Sequence, residues 1–343
     1  MFLSFEHFLT TSWYRRSPWL YVLWPISTIF VILVEIRKAV LKCRFSMRKN
    51  SVPVIVIGNI TVGGSGKTPL LISLVRELLR RGIRIAVVSR GYGRSGQKGP
   101  AEVTSKTPVY LSGDEPLLIA KSCECKVIVD SDRARAVNFL TNTGDYDLIL
   151  SDDGLQHYSM NRDIEVVVVD GSRGFGNGLC IPAGPLREPI RRLRSVDFIA
   201  VNDEVEKKVY PPHVKVIHFF YKPVKFVNLF TGRVCDPNNW VGSKIVHAVA
   251  AIGAPERFKK SLERLGLHVI LHPQNDHDCL TLGDLSFNDG LDVIITAKDA
   301  VKLEWKCNFD VWCLEIEAVL DASVADNLVT CLNKKGLFPV ARR

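Results

Sequence analysis

The sequence predicts an α/β protein built on a doubly wound, mostly parallel sheet, with a second, smaller α/β domain and a membrane-associated helix at the N-terminus. Three observations carry that expectation. Apolar, β-branched runs alternate with helical stretches from about residue 52 to residue 332, the pattern of βα units on a parallel sheet. The first run, Val52-Pro-Val-Ile-Val-Ile-Gly58, leads into Thr61-Val-Gly-Gly-Ser-Gly-Lys-Thr68 and then a stretch carrying Leu70, Leu71, Leu74, Val75, Leu78 and Leu79. Strand, glycine-rich loop, Lys-Thr and helix form a P-loop, which makes the core a P-loop NTPase-type sheet. Ahead of it, Trp19 to Val34 is almost entirely apolar.

A length of 343 residues allows two domains, and 47% hydrophobic with 24% charged residues is globular composition. The spans read as a hydrophobic helix with a basic flank (1–45), a P-loop core (46–212), linker strands (213–232) and a second α/β domain (233–343) whose C-terminal helix can pack back on the core. The net charge is +9, and residues 1–50 hold eight Lys/Arg against Glu6 and Glu35, a local net of +6. Such a segment suits an anionic partner, membrane or nucleic acid. Nine cysteines without a Cys-x-x-Cys pair argue against a disulfide framework and a zinc site. Cys123 and Cys125 read as reduced thiols at strand or helix ends.

The apolar run of sixteen residues falls short of the ~20 that a spanning helix needs, and Pro25 interrupts it. Trp13, Tyr14, Trp19, Tyr21 and Trp24 crowd one end, as residues do at a headgroup interface. No small-x-small cleavage site follows, so a signal peptide is not expected. A helix in the interface, a single span and a buried core helix are the three readings. The first is adopted.

In the P-loop, glycines let backbone N–H groups converge on phosphate oxygens and the helix N-terminus adds positive charge. Thr61, Val62, Gly63, Gly64, Ser65, Gly66, Lys67 and Thr68 are the nucleotide-binding candidates, with Lys67 for the β/γ-phosphates and Thr68 for Mg²⁺. Thr61 stands where the strict pattern wants glycine, so an ordinary glycine-rich βα turn is the alternative. Arg84 to Val88 reads as a strand, and the polar stretch to Thr107 as a loop. Asp114 in Gly113-Asp-Glu-Pro116 fits a plain N-cap with proline in the first turn. Lys126 to Asp130 is a strand and Asp132 begins a helix. Asp147-Leu-Ile-Leu-Ser-Asp-Asp153 is a strand ending in paired carboxylates, as the second Mg²⁺-holding element of a P-loop enzyme does. Glu165 to Asp170 and Asp197 to Val201 continue the sheet.

Gly171 to Arg194 reads as a long loop without secondary structure, the kind that is usually functional. Its Arg187, Arg191, Arg192 and Arg194 suit either a solvated helix face or a phosphate grip. Val214 to Leu229 alternates like strands linking two domains. Strands then follow at Lys244–Ala251, Val269–Leu271, Leu291–Thr296 and Phe309–Ile316. Helices fall at Pro255–Leu265, Lys298–Lys306 and near Asp326–Leu332. His277, between Asp276 and Asp278 at a strand's carboxyl end, is either a solvated loop residue or a group oriented for proton transfer.

Taken together, these blocks resemble the tetraacyldisaccharide 4′-kinase family of lipid A biosynthesis. The matching residues are Gly58 to Pro69, Ser89-Arg-Gly-Tyr-Gly93, Gly113 to Pro116, Asp152-Asp-Gly-Leu-Gln-His157, Gly176-Asn-Gly178, Pro182 to Pro189, Asp276-His277 and Thr296 to Ala300. Thr61 belongs to that family's P-loop form. Ala297 and Ala251 depart from it, where Glu and Gly are expected. The resemblance implies ATP-dependent phosphorylation of the 4′-hydroxyl of tetraacyldisaccharide 1-phosphate, giving lipid IVA, with Mg²⁺. It makes Asp114 the candidate base with His277, assigns Asp152 and Asp153 to the metal, and puts Arg133, Arg135, His157 and Glu188 at the active site. The implied partners are an acylated disaccharide lipid and the inner-membrane surface at its cytoplasmic face, with no nucleic acid, and the protein acts as a monomer. The rival is a P-loop GTPase or transport-linked ATPase, which should carry Asn-Lys-x-Asp after a late strand. Asn202-Asp-Glu-Val stands there without the lysine. A nucleotide-gated membrane-binding module is the non-enzyme rival.

Overall fold

The structure, a computed structural model, describes residues 2–45, 50–96, 98–202, 210–303 and 310–337. At the N-terminus, α1 (Phe2–Arg15) and α2 (Trp24–Phe45) flank a 3₁₀ turn at Pro18–Leu23. Pro25 does not interrupt the apolar helix but sits in its first turn, where a missing N–H costs nothing. The helix therefore runs 22 residues, well past the apolar run, and the stretch Pro18–Arg44 is long and apolar enough to cross a membrane.

β1 (Val54–Gly58) is wholly buried, and α3 (Lys67–Arg80) follows the glycine-rich loop with Leu70, Leu71, Leu74, Val75 and Leu78 in the core. Burying one such side chain is worth about 1.5–3 kcal/mol, so this face fixes the helix on the sheet and its N-terminus beside the loop. Next come β2 (Ile85–Ser89), β3 (Ala101–Val103), α4 (Val109–Ser112), α5 (Asp114–Ser122), β4 (Lys126–Val129) and α6 (Arg133–Thr143). β5 (Leu148–Asp152), β6 (Ile164–Asp170) and β7 (Phe198–Asn202) complete the first half, every residue of each buried. The second half contains β8 (Lys215–Asn228), β9 (Val234–Cys235), β10 (Ile245–Ala250), α7 (Pro255–Glu263), β11 (His268–Pro273) and α8 (Leu282–Leu285). It closes with β12 (Asp292–Thr296), α9 (Ala297–Ala300), β13 (Val311–Leu320) and α10 (Ser323–Lys334).

Among the described residues the strands form one 13-stranded sheet in the order β11-β10-β12-β13-β8-β7-β6-β1-β5-β2-β4-β3, with β9 on β8. The pairing is parallel except for β3–β4, β13–β8 and β8–β9. The expected linker strands form a single 14-residue strand. β8 runs parallel to β7 through Lys215–Phe219 and antiparallel to β13 through Phe219–Asn228, with an irregularity near Pro223. The two halves thus share a sheet rather than a loop. α10 packs back on the first half, its Val324, Ala325, Leu328 and Leu332 joining the α3 core.

Other expectations change locally. The polar stretch before Thr107 contains β3, too short for its alternation to register. Gly171–Arg194 holds a 3₁₀ helix at Ile190–Ser195 and bridges of Leu186 to Thr61 and Cys180. The helix at Lys298 is four residues long, and Glu304 to Phe309 lie outside the described residues. The described cysteines are all free.

Candidate active site

The carboxyl ends of β1, β5, β2 and β4 face a cleft of about 2150 Å³, whose opposite wall comes from the second half. The P-loop forms its floor. Gly66, the residue before α3, has φ +84°, a left-handed conformation open to glycine. Lys67 is buried, with its Nζ 3.0 Å from Asp153 Oδ1 and donating to Asn59 Oδ1 at 3.1 Å. Thr61 is tied to Leu186 and Val62 N to Pro185 O (2.8 Å), so the long loop braces the phosphate cradle from behind. Gly63, Gly64, Ser65 and Thr68 line the cleft as well.

Asp152 and Asp153 end β5 with different surroundings. Asp153 would be pushed up by burial, but Lys67 and Arg187 (3.2 Å) outweigh it and hold the carboxyl down at about 2. Asp152 is fully buried. Burial, then the negative charges of Glu115 and Asp153, push it up to about 7. Its Oδ2 accepts from Ser89 Oγ at 3.1 Å, while Oδ1 has no partner. Arg133, buried beside both carboxylates, lines the cleft. His157 lies next to it and accepts from Arg133 N at 3.2 Å. Burial and the Arg133 charge push that imidazole down to about 4, so it is neutral.

Across the cleft, His277 Nδ1 donates to Asp114 Oδ2 at 2.9 Å. Asp114 is not an N-cap: Gly113 holds that position, and Asp114 is the first residue of α5, its Oδ1 accepting from Glu115 N. Burial alone would push Asp114 up. The His277 hydrogen bond and the Lys298 charge reverse that and hold it below the usual range. The same hydrogen bond raises His277 above its ordinary value, against burial. Lys298 Nζ reaches Asp276 Oδ1 (3.0 Å), His277 Nε2 (3.4 Å), Glu115 (3.6 Å) and Asp114 (3.7 Å), and Tyr92 stands over the His277 ring at 5.0 Å.

The halves also touch on the P-loop itself. Gly253 lies so close to Gly64 that a Cβ on it would sit 2.4 Å from Gly64 N. Arg173 Nη1 donates to Gly253 O at 3.0 Å, and Arg257 of α7 pairs with Asp170 at the end of β6.

Thr61, Asp114 and Asp152 lie buried just beneath the cleft lining, whereas Arg135 and Glu188 stand apart from it. Arg135 pairs with Asp130 (Nε–Oδ2 2.7 Å) on the far side of α6, because residues two apart on a helix do not share a face. Glu188 is buried behind the floor, accepting from Gln156 Nε2 (2.8 Å) and from Tyr158 and facing Arg192 Nε (3.3 Å). The four arginines split. Arg187 faces the cleft through Asp153, Arg191 pairs with Glu35, Arg192 is buried against Glu165 and Glu188, and Arg194 is exposed. Asn59, Glu115 and Lys298 were not expected. All three lie within the matching blocks, and Asn59 stands directly after β1, where open sheets place ligands.

A family profile described as LpxK, tetraacyldisaccharide-1-P 4′-kinase, matches residues 19–333. The chain is 42% identical over 335 residues to a tetraacyldisaccharide 4′-kinase of Hahella chejuensis, covering 94% of this chain and 95% of that one. It is 44% identical over 301 residues to the protein of that description from Ruthia magnifica, covering 88% and 93%. Among solved structures, an "apo" form of LpxK from Aquifex aeolicus in complex with ATP matches with a TM-score of 0.76 at 25% identity, covering 93% of this chain and 99% of that one.

Proposed function

Because the chain belongs to the tetraacyldisaccharide-1-P 4′-kinase family, we propose that its P-loop carries ATP toward Asp114 and His277, which take the proton from the acceptor's 4′-hydroxyl. The protein is a tetraacyldisaccharide 4′-kinase of lipid A biosynthesis. The observation that carries the site reading is the 2.9 Å hydrogen bond between Asp114 and His277, two groups from opposite halves meeting at the cleft that the P-loop floors, His277 on its lining and Asp114 buried directly behind it.

Phosphoryl transfer asks a protein for positioning, charge neutralisation and a proton acceptor at the nucleophile. The glycine amides and Lys67 serve the phosphates. Arg133, beside Asp152 and Asp153, adds charge where the terminal phosphate would lie. Asp114, held ionised by His277 and Lys298, accepts the hydroxyl proton, and His277 orients that carboxylate through Nδ1. His157, neutral, braces the Arg133 backbone.

Thr68 and Asp152 fit a Mg²⁺ ion, since Asp152 Oδ1 is buried without a partner and its raised carboxyl would regain its charge beside a cation. Such an ion neutralises charge on the transferring phosphate. Asp153 fits it less well, being engaged by Lys67 and Arg187.

The N-terminal helix supports a protein lying on the cytoplasmic face of the inner membrane. Along α2, Ser27 donates to Cys180 O, Phe30 and Val31 join the core, Glu35 pairs with Arg191, and Lys38 and Lys42 stand over Tyr158. A helix docked over that length cannot thread a bilayer there. Its other face presents Ile26, Ile29, Ile32, Leu33, Ile36 and Val40 to the outside, as an interfacial helix does. Both members of the dyad come from one chain, which suits a monomer.

The test is phosphate transfer from labelled ATP to tetraacyldisaccharide 1-phosphate by the wild type, Lys67→Ala and Asp114→Asn. Each variant should lose about 10²-fold or more in kcat with unchanged circular dichroism. Near-normal turnover in Lys67→Ala would remove the P-loop from the mechanism.

A further inference from the structure

Behind the P-loop, on the side away from the paired carboxylates, a buried side chain is left unused by the phosphate and acceptor chemistry. In the order β5-β1-β6-β7, the paired carboxylates stand on one side of the P-loop strand, and β7 lies two strands away on the other. The last residue of β7, Asn202, is 0% exposed. Its backbone is engaged, pairing with Asp170 and Phe219 and accepting from Gly171 N at 2.8 Å. Its side chain is not: neither Oδ1 nor Nδ2 has a hydrogen-bond partner. That carboxamide faces the P-loop. A methyl group on Gly66 would lie 3.4 Å from Asn202 Nδ2 and 1.5 Å from the hydroxyl of Tyr221, whose side chain lines the cleft.

A buried amide with both ends unpaired is costly, and native proteins keep few of them. We propose that Asn202 reads the base of the nucleotide and selects adenine, with the Tyr221 ring as the aromatic surface beside it. This rests on the P-loop being the triphosphate site. With the transferring phosphate drawn toward β5, where Asp152, Asp153 and Arg133 gather, the other end of the nucleotide points toward β7. Adenine offers an acceptor at N7 and a donor at the N6 amino group, which an asparagine carboxamide matches with Nδ2–H and Oδ1. Guanine offers acceptors at both N7 and O6. Its O6 would face Asn202 Oδ1, so no rotamer of the amide satisfies both positions.

The experiment measures dissociation constants of the full chain for ATP, GTP and inorganic tripolyphosphate, with the melting temperature of the nucleotide-free protein, for wild type, Asn202→Ala and Asn202→Leu. Wild type should prefer ATP to GTP. Both variants should bind ATP about tenfold to a hundredfold more weakly, the range a bidentate amide–base pair spans. Tripolyphosphate affinity should not change, and Asn202→Leu, near in size without the orphaned amide, should melt no lower than wild type. ATP, GTP and tripolyphosphate weakening together would make Asn202 a brace of the P-loop and overturn the proposal. Unchanged ATP affinity, or a wild type indifferent to the base, would overturn it too. A wild type unable to bind tripolyphosphate would bring down the P-loop reading itself, and this proposal with it.

Discussion

Asp114 and His277 lie 163 positions apart in the chain, yet their hydrogen bond gives each residue the protonation state that suits the other. Groups acting as a unit lose activity non-additively. Asp114→Ala/His277→Ala should therefore be little worse than the more damaging single variant, in steady-state kinetics with saturating ATP; losses that multiply would break the unit apart. The pH dependence has a definite sign. The Asp114 hydrogen bond raises His277 above its ordinary value of about 6.5, and once protonated the imidazolium cannot relay a further proton. kcat should rise with pH through that raised value, and His277→Asn should abolish this limb. The same raised value means that the ion pair stabilises the folded, closed chain fully below about 6.5 and is lost as pH climbs through the folded pKa. A second contrast concerns α6. Arg133→Ala should lower kcat about 10²-fold or more, being aimed at the carboxylates, whereas Arg135→Ala, removing a pair that lies outside the cleft, should stay within a few-fold in the same assay. Local motifs were legible: the P-loop and Asp152-Asp153 are contiguous, and contiguity is what a sequence displays. The pairing of Asp114 with His277 came from family resemblance alone, because nothing in either segment encodes the approach of the two halves. Arg135 and Glu188 lie off the cleft lining for the converse reason, each being only a near neighbour in sequence of residues that do face the cleft.

At the scale of elements, the βα alternation was readable because β1, β2, β5, β6 and β7 are buried along their whole length and α3 carries one apolar stripe. β3, of three residues, fell below what alternation can signal. The length of α2 was misjudged because the apolar run was counted and the polar continuation, docked through Glu35, Lys38 and Lys42, was not. That docking yields a clean test. Ile29 and Leu33, 58% and 60% exposed, point away from the core. Ile29→Glu/Leu33→Glu should lower sedimentation with anionic vesicles several-fold while leaving the melting temperature and ATP affinity unchanged. Undiminished pelleting would assign the attachment to another surface.

For the whole molecule, closure brings one half onto the P-loop. Gly253 has an ordinary backbone conformation, so an alanine there meets no backbone strain of its own, but its Cβ would sit 2.4 Å from Gly64 N and 3.1 Å from Gly64 Cα and Asp276 Oδ2. Gly253→Ala should hold the halves apart by about 1 Å, the separation that relieves this contact. We expect kcat to fall about 10²-fold, since a misplacement near 1 Å can cost that much, with the melting temperature retained; full activity would show that catalysis does not need this contact. The shared sheet has a further consequence, in the cooperativity of the fold. β8 supplies the edge partner of β7 and of β13 alike. If the second half melted first, the wholly buried β7 would be left as a bare sheet edge, an unpaired and adhesive surface. Calorimetry should accordingly record one transition rather than two. A fragment ending at residue 212 should aggregate instead of persisting as a free-standing nucleotide-binding unit.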